Sequence, residues 1–178
     1  MNKHMIGFVF QLFIVLANAS GTNEPSDGML IQGAVKDSYS AKRIIDFNAT
    51  AVNADNASII IKGVIDERGM YVIKVTEPGR YLVTISADHY FPKTSFLDLT
   101  GSTREEWRSG FNLRIDAALI PFQQIEPIGT FTSPVAFLHF DPIEREFIWD
   151  YEYIGLHQKC QRDALRAHGG LEKNGPKN

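Results

Sequence analysis

Apolar and polar side chains alternate residue by residue over much of this chain of 178 residues. In one such segment Tyr71, Ile73 and Val75 lie on one side and Lys74 on the other. A strand turns successive side chains to opposite faces, so this pattern predicts antiparallel sheets with one face on a core and the other in water. The same alternation places further apolar residues on the core face, among them Met29, Ile31, Val35, Ile45, Phe47, Ala49, Ala51, Ile59, Ile61, Ile65, Tyr81, Val83, Ile85, Phe111, Leu113, Ile115 and Ala117. Short strands with turn signals between them predict a mainly β fold, a seven-stranded antiparallel β-sandwich over residues 29–120.

Two turn signals punctuate the segment "DERGMYVIKVTEPGRYLV". Asp66 can cap its own turn, and Gly69 can supply a positive φ. Pro78 and Gly79 match the two central positions of a type II turn. Because each turn is followed at once by an alternating strand, we expect the two strands to pair as a hairpin.

The first nineteen residues are typical of a cleavable export signal. Lys3 supplies a basic start, an apolar run extends from Met5 to Leu16, and small residues stand at Ala17 and Ala19. A membrane anchor is the rival interpretation, but the run is short against the roughly 20 residues that span a bilayer. We therefore expect a signal peptide at 1–19, a flexible lead at 20–28, and a mature protein that does not span a membrane. Its expected location is extracytoplasmic: periplasmic, in the outer envelope or secreted.

Charge and cysteine content exclude some classes of partner and of crosslink. The net charge is −3 and the basic residues are scattered, so no nucleic-acid surface is expected. Cys160 is the only cysteine, so an internal disulfide is impossible, and the thiol is either buried as a small hydrophobe or used in an intermolecular link. Asn48 and Asn56 begin glycosylation sequons that matter only in a eukaryotic secretory pathway.

The C-terminal third predicts an extended connection and then a helix, over residues 121–170. Pro121, Pro127 and Pro134 favour an edge strand or a connection over a central strand. In "DPIEREF", Asp141 and Pro142 match the N-cap and first position of a helix that stops at glycines 169–170. The buried stripe expected for this helix is Ile143, Phe147, Tyr151 and Ile154. Residues 171–178 are expected to be a disordered tail.

Residues 29–100 resemble the carboxypeptidase-regulatory-like, transthyretin-like β-sandwich domains. The motifs that carry the resemblance are Gly33, Val35 and Asp37, then Asp66, Gly69 and Tyr71, then Pro78, Gly79 and Tyr81, and finally Asp88-His89-Tyr90. His89 stands where that family usually has glycine. The resemblance implies an accessory, adhesive or display module without catalytic residues of its own. Residues 127–165 are more weakly similar to the start of the peptidoglycan-binding domains of outer-membrane proteins, with no binding residue to carry over.

Candidate site residues are few. The chain contains no nucleophile elbow, no zinc-protease motif and no phosphate loop, and no cofactor is expected. His139 and Asp141 would share a face of a strand, and His157 and Cys160 would be neighbours on a helix, but neither pair makes a metal site by itself. The loops that end a sandwich are the favoured place for binding. There the candidate residues are His89, Tyr90, Phe91 and Trp107, with packing of Trp107 over the sandwich as the alternative to an exposed anchor.

The sequence therefore predicts a non-catalytic exported β-sandwich module that binds a protein, a glycan or a component of the cell envelope. The alternative is a transthyretin-like hydrolase or a metal-assisted enzyme that would use His89, His139 and Asp141. The residues do not determine the oligomeric state.

Overall fold

A computed structural model describes residues 27–122 and 133–167. The predicted signal peptide, the flexible lead up to residue 26, and residues 123–132 of the predicted connection lie outside the described residues. So do the predicted helix stop at residues 169–170 and the tail at 171–178.

The described chain forms eleven strands and two helices. The first seven strands are β1 (Met29–Asp37), β2 (Asn48–Asn53), β3 (Ile60–Lys62), β4 (Val64–Ile65), β5 (Met70–Val75), β6 (Arg80–Ser86) and β7 (Lys93–Asp98). They are followed by α1 (Arg104–Ser109), β8 (Phe111–Arg114), β9 (Ala117–Leu119), β10 (Ala136–Asp141), β11 (Glu146–Trp149) and α2 (Tyr151–Ala167).

The strands form two sheets. The first has the order β4-β5-β1-β8, with β9 also paired to β1, and the second has the order β11-β10-β7-β6-β2-β3. Three pairs, β1 with β8, β1 with β9 and β7 with β10, are parallel. The mainly β architecture with a C-terminal helix is confirmed, but the prediction of seven antiparallel strands is wrong. Alternation reports which face is buried and carries no information about strand direction or strand number.

The inward side chains of both sheets form one hydrophobic core. Its members come from the alternating positions of the sequence and include Met29, Ile31, Val35, Tyr71, Ile73, Val75, Tyr81, Val83 and Ile85. Ile45 and Ile59 depart from the prediction, since Ile45 is 65% exposed and Ile59 is also exposed. Both residues lie before the first residue of a strand, where the pleat no longer directs side chains inward.

β1 crosses the first sheet from one end of the molecule to the other. At its start, the Gly28 N–H donates to the carbonyl of Trp107 at 3.0 Å. At its end, Asp37 accepts a hydrogen bond from the hydroxyl of Tyr90 at 2.9 Å. We call these the Trp107 end and the Tyr90 end. Met29 and Asp37 are eight residues apart, so the two ends are separated by about 26 Å along the strand.

The first of the two predicted turns forms as expected. β4 and β5 make an antiparallel hairpin. The Oδ1 of Asp66 accepts the N–H groups of Arg68 and Met70 at 2.9 and 2.8 Å, and Gly69 has φ 70°. Asp66 and Gly69 therefore play the roles that their residue types predict.

The second predicted turn is not a hairpin turn. β5 pairs with β1 and β4, whereas β6 pairs with β2 and β7, so the chain crosses from one sheet to the other between them. Gly79 is not among the described residues of positive φ, which excludes the type II geometry. A β-carbon at Gly79 would lie 3.1 Å from Asn53 Nδ2 and 3.2 Å from the ring of Tyr81, so close packing explains this glycine.

The C-terminal third corrects two predictions. β10 lies between β7 and β11 and is not an edge strand or a connection, because Pro134 precedes the strand and no proline interrupts it.

The helix begins at Tyr151 and not at Pro142. Asp141 instead closes the turn between β10 and β11, where its Oδ1 accepts the N–H groups of Ile143 and Glu144 and Arg145 takes φ 57°. The prediction of one buried helix stripe is also wrong, because Ile143 and Tyr151 are exposed and Phe147 belongs to β11.

α2 is capped by Asp150 and packs on β10. The Asp150 Oδ1 accepts the N–H of Tyr153 at 2.8 Å, as an N-cap side chain does. The ring of Tyr153 meets Phe137 edge to face at 4.4 Å, and its hydroxyl donates to the carbonyl of Pro134 at 2.7 Å. Cys160 lies on this helix and is exposed, so of the two alternatives for the thiol, burial as a small hydrophobe is wrong.

Candidate functional site

Three separate segments meet at the Tyr90 end. They are residues 37–40 at the end of β1, residues 87–92 between β6 and β7, and residues 119–122 at the end of β9. Backbone hydrogen bonds join them: Ser38 N–H to the Leu119 carbonyl at 2.9 Å, Phe91 N–H to the Ile120 carbonyl at 2.8 Å, and Phe122 N–H to the His89 carbonyl at 2.8 Å. These bonds hold the loops of both sheets in one surface.

His89 forms the bend in this surface. Its φ is 67°, in the left-handed region that favours glycine, and the following Tyr90 N–H donates to the Ala87 carbonyl at 3.2 Å. The bend that the resemblance assigns to glycine therefore forms with histidine. It carries an exposed imidazole.

Tyr90 fixes the loop to the end of β1 through Asp37. The carboxylate of Asp37 accepts the Tyr90 hydroxyl and the N–H groups of Tyr39 and Ser40. Burial alone would raise the pKa of Asp37, but the hydrogen bonds from Ser40, Tyr39 and Tyr90 together outweigh it and lower the pKa. The same contact with Asp37 raises the pKa of Tyr90. Tyr90 is therefore a positioning residue whose hydroxyl is already engaged.

Phe91 is buried, and it supports a second ring that is not. Its ring meets that of Phe122 edge to face, with centroids 4.7 Å apart. Phe122 is 47% exposed and Tyr39 is 37% exposed. The exposed rings of the Tyr90 end are therefore Tyr39, His89 and Phe122. Tyr39 and Phe122 were missed from the sequence because they lie outside the alternating segments, next to turn residues and proline.

Lys93 begins β7 beside this surface. Burial lowers the pKa of Lys93 to about 8, with the nearby charge of Lys36 acting in the same direction. Both effects penalise the ammonium form. A part of the Lys93 population is consequently neutral at mildly alkaline pH.

Trp107 lies at the opposite end and is packed inward. It belongs to α1, which Thr103 and Glu106 start with a reciprocal capping box. Its side chain is 5% exposed, and the indole N–H donates to the Thr76 carbonyl at 2.8 Å. This geometry matches the packing alternative and not an exposed anchor. The spacing Thr-x-x-Glu before Trp107 was the sequence signal that could have predicted α1.

The other candidate residues do not converge. His139 is exposed on β10, level with the last residues of β7 and towards the Trp107 end, whereas His89 lies at the Tyr90 end. His157 is buried on α2, and Cys160 is exposed on the same helix. Within the described ranges, no group of three or more His, Cys, Asp or Glu side chains is arranged to hold a metal ion. Of the two helices described, neither has the length and the apolar content that a membrane-spanning helix requires.

Comparison with known proteins does not assign this chain to a family. No family model and no curated protein matches the chain. Among solved structures, it is similar to hydroxyquinol 1,2-dioxygenase from Pseudomonas putida DLL-E4, with a TM-score of 0.37, 11% identity, and coverage of 54% of this chain and 58% of that one. It is also similar to 3-chlorocatechol 1,2-dioxygenase from Rhodococcus opacus 1CP, with a TM-score of 0.35, 13% identity, and coverage of 57% and 62%. A type II cohesin–X-dockerin complex from Acetivibrio cellulolyticus gives a TM-score of 0.33, 16% identity and the same coverage.

The matches therefore span about three fifths of the solved chains. Their TM-scores carry no argument about the function of this protein.

Proposed function

We propose that this protein is a non-catalytic exported module, of the transthyretin-like and carboxypeptidase-regulatory-like type, that binds its partner through the Tyr90 end. The partner is a protein, a glycan or a component of the cell envelope. Export rests on the pattern of the first nineteen residues, and the module type rests on the motifs between Gly33 and Tyr90.

One observation carries the choice of surface: three loops are tied together by backbone hydrogen bonds, and each of them exposes one ring, that of Tyr39, His89 or Phe122. Aromatic rings give a large contact area for little loss of side-chain entropy, and they stack on sugar faces and on peptide groups alike. The Asp37–Tyr90 contact holds the loops before any partner arrives, so little ordering is left for binding.

The test uses the purified protein with two probes, a printed glycan array and insoluble peptidoglycan. Tyr39→Ser and Phe122→Ser should each weaken retention by roughly tenfold or more, as expected for aromatic residues at the centre of an interface. Tyr151→Ser is the matched control, because Tyr151 is an exposed tyrosine on α2 that belongs to none of the three segments of this surface. Equal losses in all three variants, or retention that none of them changes, would remove the Tyr90 end as the binding surface.

A further inference from the structure

β3 is the terminal strand of the six-stranded sheet, and one side of it is open in the described chain. It pairs with β2 in the register Thr50 to Lys62, Ala51 to Ile61 and Val52 to Ile60. The Gly63 N–H donates to the Ala49 carbonyl at 2.8 Å, and the Asn53 N–H donates to the Ile59 carbonyl at 3.0 Å. Residues 59, 61 and 63 therefore turn their backbone groups towards β2. In an antiparallel ladder the intervening Ile60 and Lys62 must then turn theirs outward.

Exposed apolar side chains accompany these open backbone groups. Ile60 is 56% exposed, and Ile59 and Val64 on the same edge of the molecule are also exposed. On the outer face of the sheet, Ile60 begins a cross-strand row that continues through Val52, Leu82, Phe96 and Phe137. A strand added beside β3 would extend this row as well as the ladder.

The outward backbone groups of β3 can pair with the same groups of β3 in a second copy. If two copies of β3 run antiparallel about a twofold axis at Ile61, Ile60 of each copy lies opposite Lys62 of the other. The two outward residues of each copy then exchange N–H to carbonyl hydrogen bonds, four in all. Lys62 faces an isoleucine in this register, whereas an axis at Lys62 would place the two ammonium groups directly opposite each other.

We propose that this edge is a homodimer interface in which β3 pairs with β3 of a second copy and the six-stranded sheets become continuous. The proposal is independent of the Tyr90 end, because neither β3 nor its neighbour β2 contributes to that surface. The twofold symmetry is the one most common among soluble oligomers, and it requires each patch to match itself.

The oligomeric state of the purified protein, measured by light scattering over a dilution series, tests this proposal. The wild type should approach twice the monomer mass as concentration rises. Lys62→Pro should remain a monomer, because it removes an N–H that faces away from β2 and so leaves the β2–β3 ladder in place. Ile60→Lys should weaken dimerisation by roughly tenfold or more, since each introduced lysine lies opposite Lys62 of the other copy.

A charge exchange checks the register itself. The double variant Ile60→Lys with Lys62→Glu should recover the dimer, because position 60 of each copy then faces an opposite charge. Ile143→Lys is the control, as Ile143 is an exposed residue at the opposite edge of the same sheet. A monomer at every concentration overturns the proposal. An extended segment of another protein would then be the occupant of the β3 edge. A dimer that survives Ile60→Lys and folded Lys62→Pro overturns it too.

Discussion

Truncation of Trp107 decides whether this side chain packs inside the molecule or anchors a partner. The indole is 5% exposed, contacts the ring of Phe111 and donates to the Thr76 carbonyl. Removal of a buried aromatic side chain costs about 3–5 kcal/mol. Trp107→Ala should therefore lower the free energy of unfolding by that amount and the thermal midpoint by roughly 10 °C. Trp107→Phe retains most of the ring and loses the hydrogen bond, which costs about 1 kcal/mol.

The assay is urea denaturation followed by circular dichroism, together with retention on the two probes at a temperature where both variants are folded. The midpoint should fall in the order wild type, Trp107→Phe, Trp107→Ala, with the slope unchanged. Retention should be the same for all three proteins, since Trp107 lies at the end opposite the Tyr90 end. An unchanged midpoint for Trp107→Ala combined with lost retention would refute the inward packing and restore Trp107 as a surface anchor.

Three further perturbations test other parts of the structure. His89→Gly should raise stability by about 0.5–1 kcal/mol in urea titrations, because glycine adopts a φ of 67° without the steric cost of a β-carbon; a loss of stability would contradict the bend. Gly33→Ala should lower stability by about 3 kcal/mol or more, or prevent folding, because its β-carbon would lie 2.0 Å from the Ile115 carbonyl oxygen; wild-type stability would show that this close approach does not exist. Hydrogen bonds, first of all from the Thr103 N–H, lower the pKa of Glu106 from 4.5 to about 2, so its stabilising effect is complete above pH 4.5 and disappears as the pH falls towards 2. The difference in thermal midpoint between wild type and Glu106→Gln should shrink over that range, and a constant difference would exclude this role for the carboxylate.

Which side chains face the core could be predicted from the sequence where a residue lies inside a ladder. Tyr71, Ile73 and Val83 are buried as the alternation predicts, because the pleat of a strand directs every second side chain to the core. Ile45 fails because it precedes β2, where no ladder orients it. The pairing of strands was not predictable in the same way. β5 and β6 are consecutive and both alternate, yet they belong to different sheets, and only the packing of the whole chain decides that.

Turn and cap signals were ambiguous where one residue type serves two structures. Asp141 followed by Pro142 predicts a helix start equally well as a tight turn, because in both cases an aspartate accepts backbone N–H groups two or three residues ahead. The strand that follows the turn favours the hairpin. At the candidate site, His89 and Tyr90 were found through their motif. Tyr39 is part of the surface only because distant loops meet there, which no local pattern records.

The position of β10 in the sheet determines which strand contacts of this protein can form only late in folding. β10 lies between β7 and β11, and it pairs with β7 in parallel although the two strands are far apart in the chain, whereas β6 covers the other side of β7. During synthesis the flank of β7 consequently stays open, with Phe96 facing solvent, until the last third of the polypeptide has been made. Contacts between residues so far apart in the chain form slowly. A polypeptide released before residue 136 would keep that unfilled flank, so premature termination should leave a sticky, aggregation-prone fragment and not a smaller working domain.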